Sequence, residues 1–225
     1  MNKYIRQEIL KEIGKEGQNK LKNSKIAIIG VGALGTTTAE LLTRAGIGEL
    51  LLIDKDKITQ ENLHRQLLFK EKDENAKKVD VAMRELNEIN KDVKIKIISE
   101  YLTKENTQVL DNHDLILDCT DNMQTRHIIN EYCEKTKKIW IHAAASGIKG
   151  NVLIVKNSEN FKKIMRTGET FDSCSEIGVI NTITTIISAL QVTQTIKIIL
   201  GEPYDEELIR INIWDLTFEK YKIKQ

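Results

Sequence analysis

Residues 25–56, KIAIIGVGALGTTTAELLTRAGIGELLLIDKD, constrain the fold more than any other stretch of the chain. The apolar run Ile26 to Ile29 has the length of a buried strand, a helical repeat follows the glycines, and a second apolar run, Leu50 to Ile53, ends in acids. Gly30, Gly32 and Gly35 stand in G-x-G-x-x-G spacing directly after the first strand. In that context the first glycine makes a tight turn, the second lets a phosphate approach the backbone and the third lets the helix pack closely. Asp54, at the tip of the second strand, can accept hydrogen bonds from both ribose hydroxyls. A nucleotide at the carboxyl edge of a parallel sheet is the ligand this pattern predicts.

The alternation of short apolar runs with amphipathic segments continues downstream, as expected of a mostly parallel sheet covered by helices. Strands are predicted at 25–30, 49–54, 93–98, 114–118 and 139–142, and helices at 33–45, 76–90, 103–111 and 123–136. The fold class is α/β, a doubly wound, Rossmann-like sheet. Beyond Gly150, NVLIVK reads as a strand, 157–173 as polar and irregular, and about 176–200 as a long helix. ELIRINIWDL and FEKYKIK alternate in strand fashion around a turn near Asp215 and predict an antiparallel pair at the sheet edge. The 225 residues suit one domain: an N-terminal helical arm (1–24), a nucleotide-binding core (25–156), a crossover loop (157–175), then the long helix and edge strands (176–225).

Lysine and arginine number 34 against 33 acids, a formal net charge of +1, so there is no global attraction to nucleic acid or an anionic membrane. Cys119, Cys133 and Cys174 are odd in number and contain no C-x-x-C pair, so the expectation is a reducing cytosol, without a disulfide framework or a zinc site. The N-terminal YIRQEILKEI lacks the apolar core of a signal peptide. Ile180 to Leu200 is apolar but interrupted by Asn181, Gln191, Gln194 and Lys197, which predicts a buried helix in preference to a bilayer span. Cytoplasmic placement is expected.

A nicotinamide-dependent oxidoreductase would use the glycines and Asp54 but leaves Asn62, Arg65 and Gln66 in ENLHRQ, Lys78 in AKKVD and Asp121 in DCTDN without a task. All five can lie near the carboxyl edge of the strands, where ligands of open α/β sheets bind. Two cations, two amides and an acid suit phosphate chemistry at the α position of ATP, with the cations on phosphate oxygens and the aspartate on Mg²⁺. Each has a plainer alternative: a surface pair for Arg65, a solvated lysine beside Lys77 for Lys78, a helix cap for Asp121. His64, His113 and His142 show no catalytic pattern. Cys119 and Cys133 read as core thiols, whereas Cys174 in SCSE precedes a long helix whose N-terminus can favour thiolate.

From YIRQEIL through GVGALG, DKD, ENLHRQ, AKKVD and DCTDN to SCSEIGVI and SALQVTQTIKIILG, the chain resembles the MoeB/ThiF/HesA family, prokaryotic relatives of ubiquitin-activating enzymes. The resemblance implies adenylation of the C-terminal glycine of a ubiquitin-like sulfur carrier, usually ending in Gly-Gly, with release of pyrophosphate, in thiamin, molybdopterin or related sulfur transfer. It implies ATP lined by Gly30, Gly32 and Gly35, ribose on Asp54 with Asp56 close by, phosphates on Asn62, Arg65 and Lys78 with Gln66 in support, and Mg²⁺ on Asp121. It further implies that Arg6 reaches the neighbouring subunit's site in a homodimer, that Cys174 accepts the acyl group or sulfur in some members, and that a sulfurtransferase is a further partner. Many relatives hold zinc on two C-x-x-C pairs, which this chain lacks. A tRNA-modifying dehydratase of the same superfamily and a non-catalytic scaffold are the remaining alternatives; the near-neutral charge disfavours the first and the retained cations the second.

Overall fold

The computed structural model describes residues 2–166, 178–204 and 206–222. Eight strands form one sheet in the order β3-β2-β1-β4-β5-β6-β7-β8. They are β1 Lys25–Ile29, β2 Glu49–Ile53, β3 Lys94–Ile98, β4 Leu115–Asp118, β5 Ile139–Ser146, β6 Lys149–Val155, β7 Glu207–Asn212 and β8 Thr217–Lys222. The first five are mutually parallel, and β6, β7 and β8 continue the sheet antiparallel. The chain leaves β1 in one direction to make β2 and β3 and in the other to make β4, so the switch point lies between β1 and β4.

Period-2 alternation divides the core. Ile26, Ile28, Leu50, Leu52, Leu117 and Ile141 pack on one face, while Ala27, Ile29, Leu51, Ile53, Ile116 and Trp140 pack on the other. Helices α3 (Ala33–Ala45), α4 (Lys78–Ile89) and α7 (Asn181–Leu200) cover the first face, through Leu42, Leu86 and Ile187 among others. Helices α5 (Met123–Thr136) and α6 (Ser158–Arg166) cover the second, with Ile129 and Phe161 at its centre. Two short helices, α1 (Ile5–Glu8) and α2 (Gly14–Asn23), precede β1. The arm is tied down by Gln7 Nε2, which donates to the Ala45 carbonyl at 3.1 Å, and by Asn90 Nδ2, which donates to the Tyr4 hydroxyl at 2.7 Å.

Three elements differ from expectation. The helix predicted at 103–111 is a single 3-10 turn, Thr107–Leu110. Asn106 diverts the backbone, because its Oδ1 accepts the Thr103 N–H at 2.8 Å and its Nδ2 donates to the Tyr101 carbonyl at 2.8 Å, in competition with helical bonds. The segment predicted as irregular from 157 contains α6, anchored by Phe161, whose ring meets Trp140 edge-on at 4.8 Å. Its start is secured by Glu206, which accepts the Lys156 and Asn157 N–H groups at 2.7 Å each. The last helix begins at Asn181; Val179 is extended and bridges Gly147.

His113 is almost fully buried, with neither ring nitrogen hydrogen-bonded among the described residues, and burial holds its pKa below the ordinary imidazole value although Glu49 lies 3.7 Å away. Buried His142 is shifted the same way by burial, against the pull of Asp118. Below the ordinary value of 6.5 the unfolded chain binds protons that the folded chain refuses, so acidification removes stability, by up to about 1.4 kcal/mol per pH unit for each ring. Thermal melts should fall between pH 7 and 5, and His113→Phe should flatten that fall. A His113→Phe protein with the wild-type slope would contradict this account.

Candidate active site

The carboxyl ends of β1, β2, β3 and β4 open into a cleft of about 2030 Å³. Its floor is the turn after β1. Gly30 has φ +90°, and a Cβ there would lie 2.7 Å from the Cys119 carbonyl oxygen, so both backbone conformation and space demand glycine. At Gly32 the nearest atom to such a Cβ is Gln66 Nε2 at 3.7 Å, leaving the backbone open toward the cleft. Gly35 does not line the cleft. A Cβ there would overlap the Gly30 carbonyl, so its role is to let α3 pack on the turn, and the expected contact with nucleotide is corrected to a packing function.

Asp54 stands at the tip of β2 and is half-buried. Its Oδ2 accepts the Val31 N–H at 2.7 Å and its Oδ1 the Asp56 N–H at 2.8 Å, so the carboxylate joins the glycine turn to the next loop. Each oxygen retains a lone pair for a further donor. The 3-10 turn Gln60–Asn62 and the bonds from Arg65 N and Gln66 N to the Asn62 carbonyl bring Asn62, Arg65 and Gln66 to the same wall. Arg65 Nη1 donates to the Glu61 carbonyl at 2.7 Å, and among the described residues the guanidinium makes no salt bridge. Buried Gln66 has its Oε1 without a hydrogen-bond partner among the described residues.

Lys78 is not a solvated lysine. Its side chain is 8% exposed, and Nζ reaches Asp56 Oδ2 at 3.1 Å while its backbone N–H donates to the Asp56 carbonyl at 3.0 Å. A buried ammonium needs such a partner. Asp121 is exposed and does not cap α5; Asn122 does, its Oδ1 accepting the Thr125 N–H at 2.9 Å. The Asp121 carboxylate lines the cleft without a hydrogen-bond partner among the described residues.

Thus Gly30, Gly32, Asp54, Asp56, Asn62, Arg65, Gln66, Lys78 and Asp121 share one cleft. Arg6 does not: it is exposed on the N-terminal arm, away from its own chain's cleft. Cys174 lies outside the described residues. A second cleft of about 840 Å³, between α2 and the end of α7, has Lys20 and Lys138 committed to the carbonyls of Leu200, Asp111 and His113.

Beneath the DCTDN loop lies a buried network that the sequence reading missed. Asp118 Oδ2 accepts from Arg126 Nε at 3.2 Å and from His142 Nδ1 at 2.8 Å, which gives His142 the partner it was expected to lack. Burial raises the Asp118 pKa, but Arg126 and His142 prevail and hold it below the ordinary carboxylate range. The available signal was an acid ending the otherwise apolar run LILD. Gln191 of α7 closes the same region, donating to the Asp118 and Ile141 carbonyls at 3.0 Å each.

A family model described as the ThiF family matches residues 4–225. Relatives include the adenylyltransferase and sulfurtransferase MOCS3 of Culex quinquefasciatus, 36% identical over 205 residues that cover 88% of this chain and 47% of that protein. The probable molybdopterin-synthase adenylyltransferase of Gracilaria tenuistipitata var. liui is 31% identical over 228 residues, covering 98% of this chain and 64% of that protein. The chain therefore spans about half the length of the MOCS3 relative and less than two thirds of the other. Among solved structures, E. coli MccB in complex with ATP has a TM-score of 0.81 at 26% identity, over 100% of this chain and 72% of that one. MccB with MccA-N7isoASN, at 23% identity and TM-score 0.84, covers 100% of this chain and 73% of that one and shares the fold.

The glycines differ in what they tolerate. Gly30→Ala and Gly35→Ala should each cost at least about 1–3 kcal/mol, a fall in Tm of several degrees at this chain length. Gly32→Ala should melt within about 2 °C of the wild type. Differential scanning calorimetry separates the three, and equal losses at all of them would refute the division of roles.

Proposed function

The chain belongs to the ThiF family, and from that premise we propose that it is an ATP- and Mg²⁺-dependent adenylyltransferase acting on the C-terminal glycine carboxylate of a ubiquitin-like sulfur-carrier protein. The observation that carries this reading is the convergence of the open Gly32 backbone, Asp54, Asn62, Arg65, Lys78 and Asp121 on one cleft. The MccB structure with ATP and the adenylyltransferase relatives support it. A nicotinamide reading would leave Arg65, Lys78 and Asp121 idle.

The strand order distributes the nucleotide. Phosphates belong over the turn after β1, and ribose belongs at Asp54 after β2, whose two oxygens each have a lone pair to offer. The base then belongs one strand outward, after β3, where Tyr101 and buried Leu102 line the cleft. Asn62, Arg65 and Lys78 are assigned to the phosphates, Gln66 supports these donors as an acceptor through its Oε1, which is unpaired among the described residues, and Asp56 holds Lys78. Among the described residues no three His, Cys, Asp or Glu side chains converge on one point. The donor set fits Mg²⁺ held by Asp121 together with phosphate oxygens, since this cation uses one or two carboxylates plus substrate and water.

In the reaction a carrier carboxylate oxygen attacks the α-phosphorus, the α–β phosphoanhydride bond breaks, and pyrophosphate leaves with its electron pair. No general base is needed, because a terminal carboxyl with a reference pKa of about 3.3–3.7 is already ionised. The obstacle is like charge: two unit charges ~4 Å apart repel by about 1 kcal/mol in water and about 4 kcal/mol at an effective dielectric of 20. Arg65 and Lys78 turn that repulsion into stabilisation of charge developing on phosphate. Arg6, exposed and remote from its own cleft, is assigned to a second copy's site. The half-buried apolar residues Ile186, Leu190 and Ile196 of α7 suit cover by that copy.

ATP–pyrophosphate exchange with Gly-Gly-ending carrier proteins tests the proposal. Arg65→Ala and Lys78→Ala should each lose about 100-fold or more in exchange, the size of a lost charge stabiliser, with Tm retained. Cys174→Ala should preserve exchange. Mixing inactive Arg6→Ala with inactive Arg65→Ala should restore part of the activity through mixed dimers. Wild-type exchange by a folded Arg65→Ala protein would defeat the reading.

A further inference from the structure

We propose that Asp118 and Arg126 are positioning residues, a buried strut that fixes the main chain on which Asp121 approaches the phosphate-bound metal; the role given to Asp121 rests on the adenylation reading. Asp118 is the last residue of β4 and has no exposed surface. Its Oδ1 accepts the Thr120 N–H at 2.9 Å and the Thr120 hydroxyl at 2.6 Å, and its Oδ2 accepts Arg126 Nε and His142 Nδ1. Arg126 Nη2 in turn donates to the Thr120 carbonyl at 2.6 Å. Thr120 is thereby held by its N–H, its hydroxyl and its C=O, all from one ion pair.

The flanking residues are fixed as well. Cys119 N donates to the Ile29 carbonyl at 2.9 Å, and the Cys119 carbonyl lies against Gly30, so the loop rests on the glycine turn. Asn122 is secured by capping α5. Asp121 therefore projects into the cleft between two immobilised neighbours, with its own carboxylate uncommitted among the described residues.

Arg126 borders the same cleft, and an arginine there invites assignment as a phosphate ligand. Its geometry argues otherwise. The side chain is 7% exposed, Nε and Nη2 are spent on Asp118 and Thr120, and Nη1 points to Met123 Sδ at 3.7 Å. Asp118 Oδ2, 3.2 Å from Nε, sets a charge of opposite sign against the guanidinium. A buried ion pair is seldom retained for stability alone, since desolvation offsets most of the attraction, whereas breaking one partner away is costly. Fixing one loop conformation is a use that matches what this pair touches. His142 adds a third support, its ring set by edge-on contacts with Trp140 and Phe161 at 6.1 and 5.8 Å.

The test uses Thr120→Val, which removes the hydroxyl donor at nearly constant shape, Thr120→Ser, which restores it, and Arg126→Lys. Amide hydrogen exchange of residues 119–122 in nucleotide-free protein should quicken about tenfold in Thr120→Val, the weight of one hydrogen bond, and more in Arg126→Lys, with Thr120→Ser at the wild-type rate. In calorimetric ATP titrations, the Mg²⁺ concentration giving half-maximal binding should rise several-fold in Thr120→Val and Arg126→Lys, while ATP binding in EDTA stays at the wild-type level. Unchanged loop exchange in Thr120→Val overturns the strut, and equal weakening with and without Mg²⁺ overturns its link to Asp121. If Arg126→Lys fails to fold, Thr120→Val decides. A wild-type protein that binds no ATP would sink the adenylation reading, and the exchange data, taken without nucleotide, would still judge the strut.

Discussion

The structure depends on the contact between two backbone segments that have no side chain between them. The turn after β1 lies against the end of β4 because Gly30 lacks a Cβ, and α3 lies on that turn because Gly35 lacks one. These contacts bring the carboxyl ends of β1, β2 and β4 close enough for Asp54 to reach the Val31 N–H and for the DCTDN loop to border the same cleft. A side chain at either glycine would separate the layers, and the cleft would lose its floor before any charged residue mattered. Gly32 then leaves the floor open on the side facing the cleft.

Onto that floor the fold brings charge in a prearranged state. Lys78 is buried and already paired with Asp56, so its position is set before any phosphate arrives. Arg65 is steered by a main-chain carbonyl, which orients the guanidinium without neutralising it. Asp121 is the reverse case, a carboxylate uncommitted among the described residues on a loop whose neighbours are fixed. Such an arrangement lowers the reorganisation needed when highly charged groups meet, which is where electrostatic catalysis draws most of its effect. The antiparallel strands β6 to β8 take no part in this cleft, apart from the support that β6 gives β5.

Much of this was legible in the residues. The inner parallel strands announced themselves as short apolar runs, and ENLHRQ, AKKVD and DCTDN marked the cleft because phosphate chemistry would need those residue types near strand ends. The misreadings arose where distant partners decide. Residues 103–111 have helix-compatible length, but Asn106 spends its side chain on the local backbone. Residues 158–166 carry many charges and look irregular until Phe161 meets Trp140 and Glu206 arrives from far along the chain. Asp118, Arg126 and His142 come from β4, α5 and β5, and only the sheet register, which pairs Asp118 with His142, brings the last of them to the first. Gly35 was given to the ligand as well as to helix packing because its motif is read as a unit, and its place on the helix serves the packing.

On the adenylation reading, the thiols would separate activation from any later sulfur chemistry. Burial pushes Cys119 far above the ordinary thiol range, and its Sγ donates to Gln191 Oε1 at 3.2 Å. Burial likewise pushes Cys133 up to about 12. A thiol with such a pKa is almost wholly protonated at neutral pH, and the thiolate is the nucleophile. Both thiols are also buried in the core, which sets them apart from the cleft chemistry as inert packing groups. Of the three cysteines in the sequence, that leaves Cys174, on the stretch leading into α7. Gly178, Val179 and Thr184, which follow that stretch in the sequence, line the cleft. Adenylation needs only the charged groups of the cleft, whereas a covalent step would need Cys174 or a thiol of another protein. On the adenylation reading, loss of Arg65 would stop activation, whereas loss of Cys174 would leave activation intact.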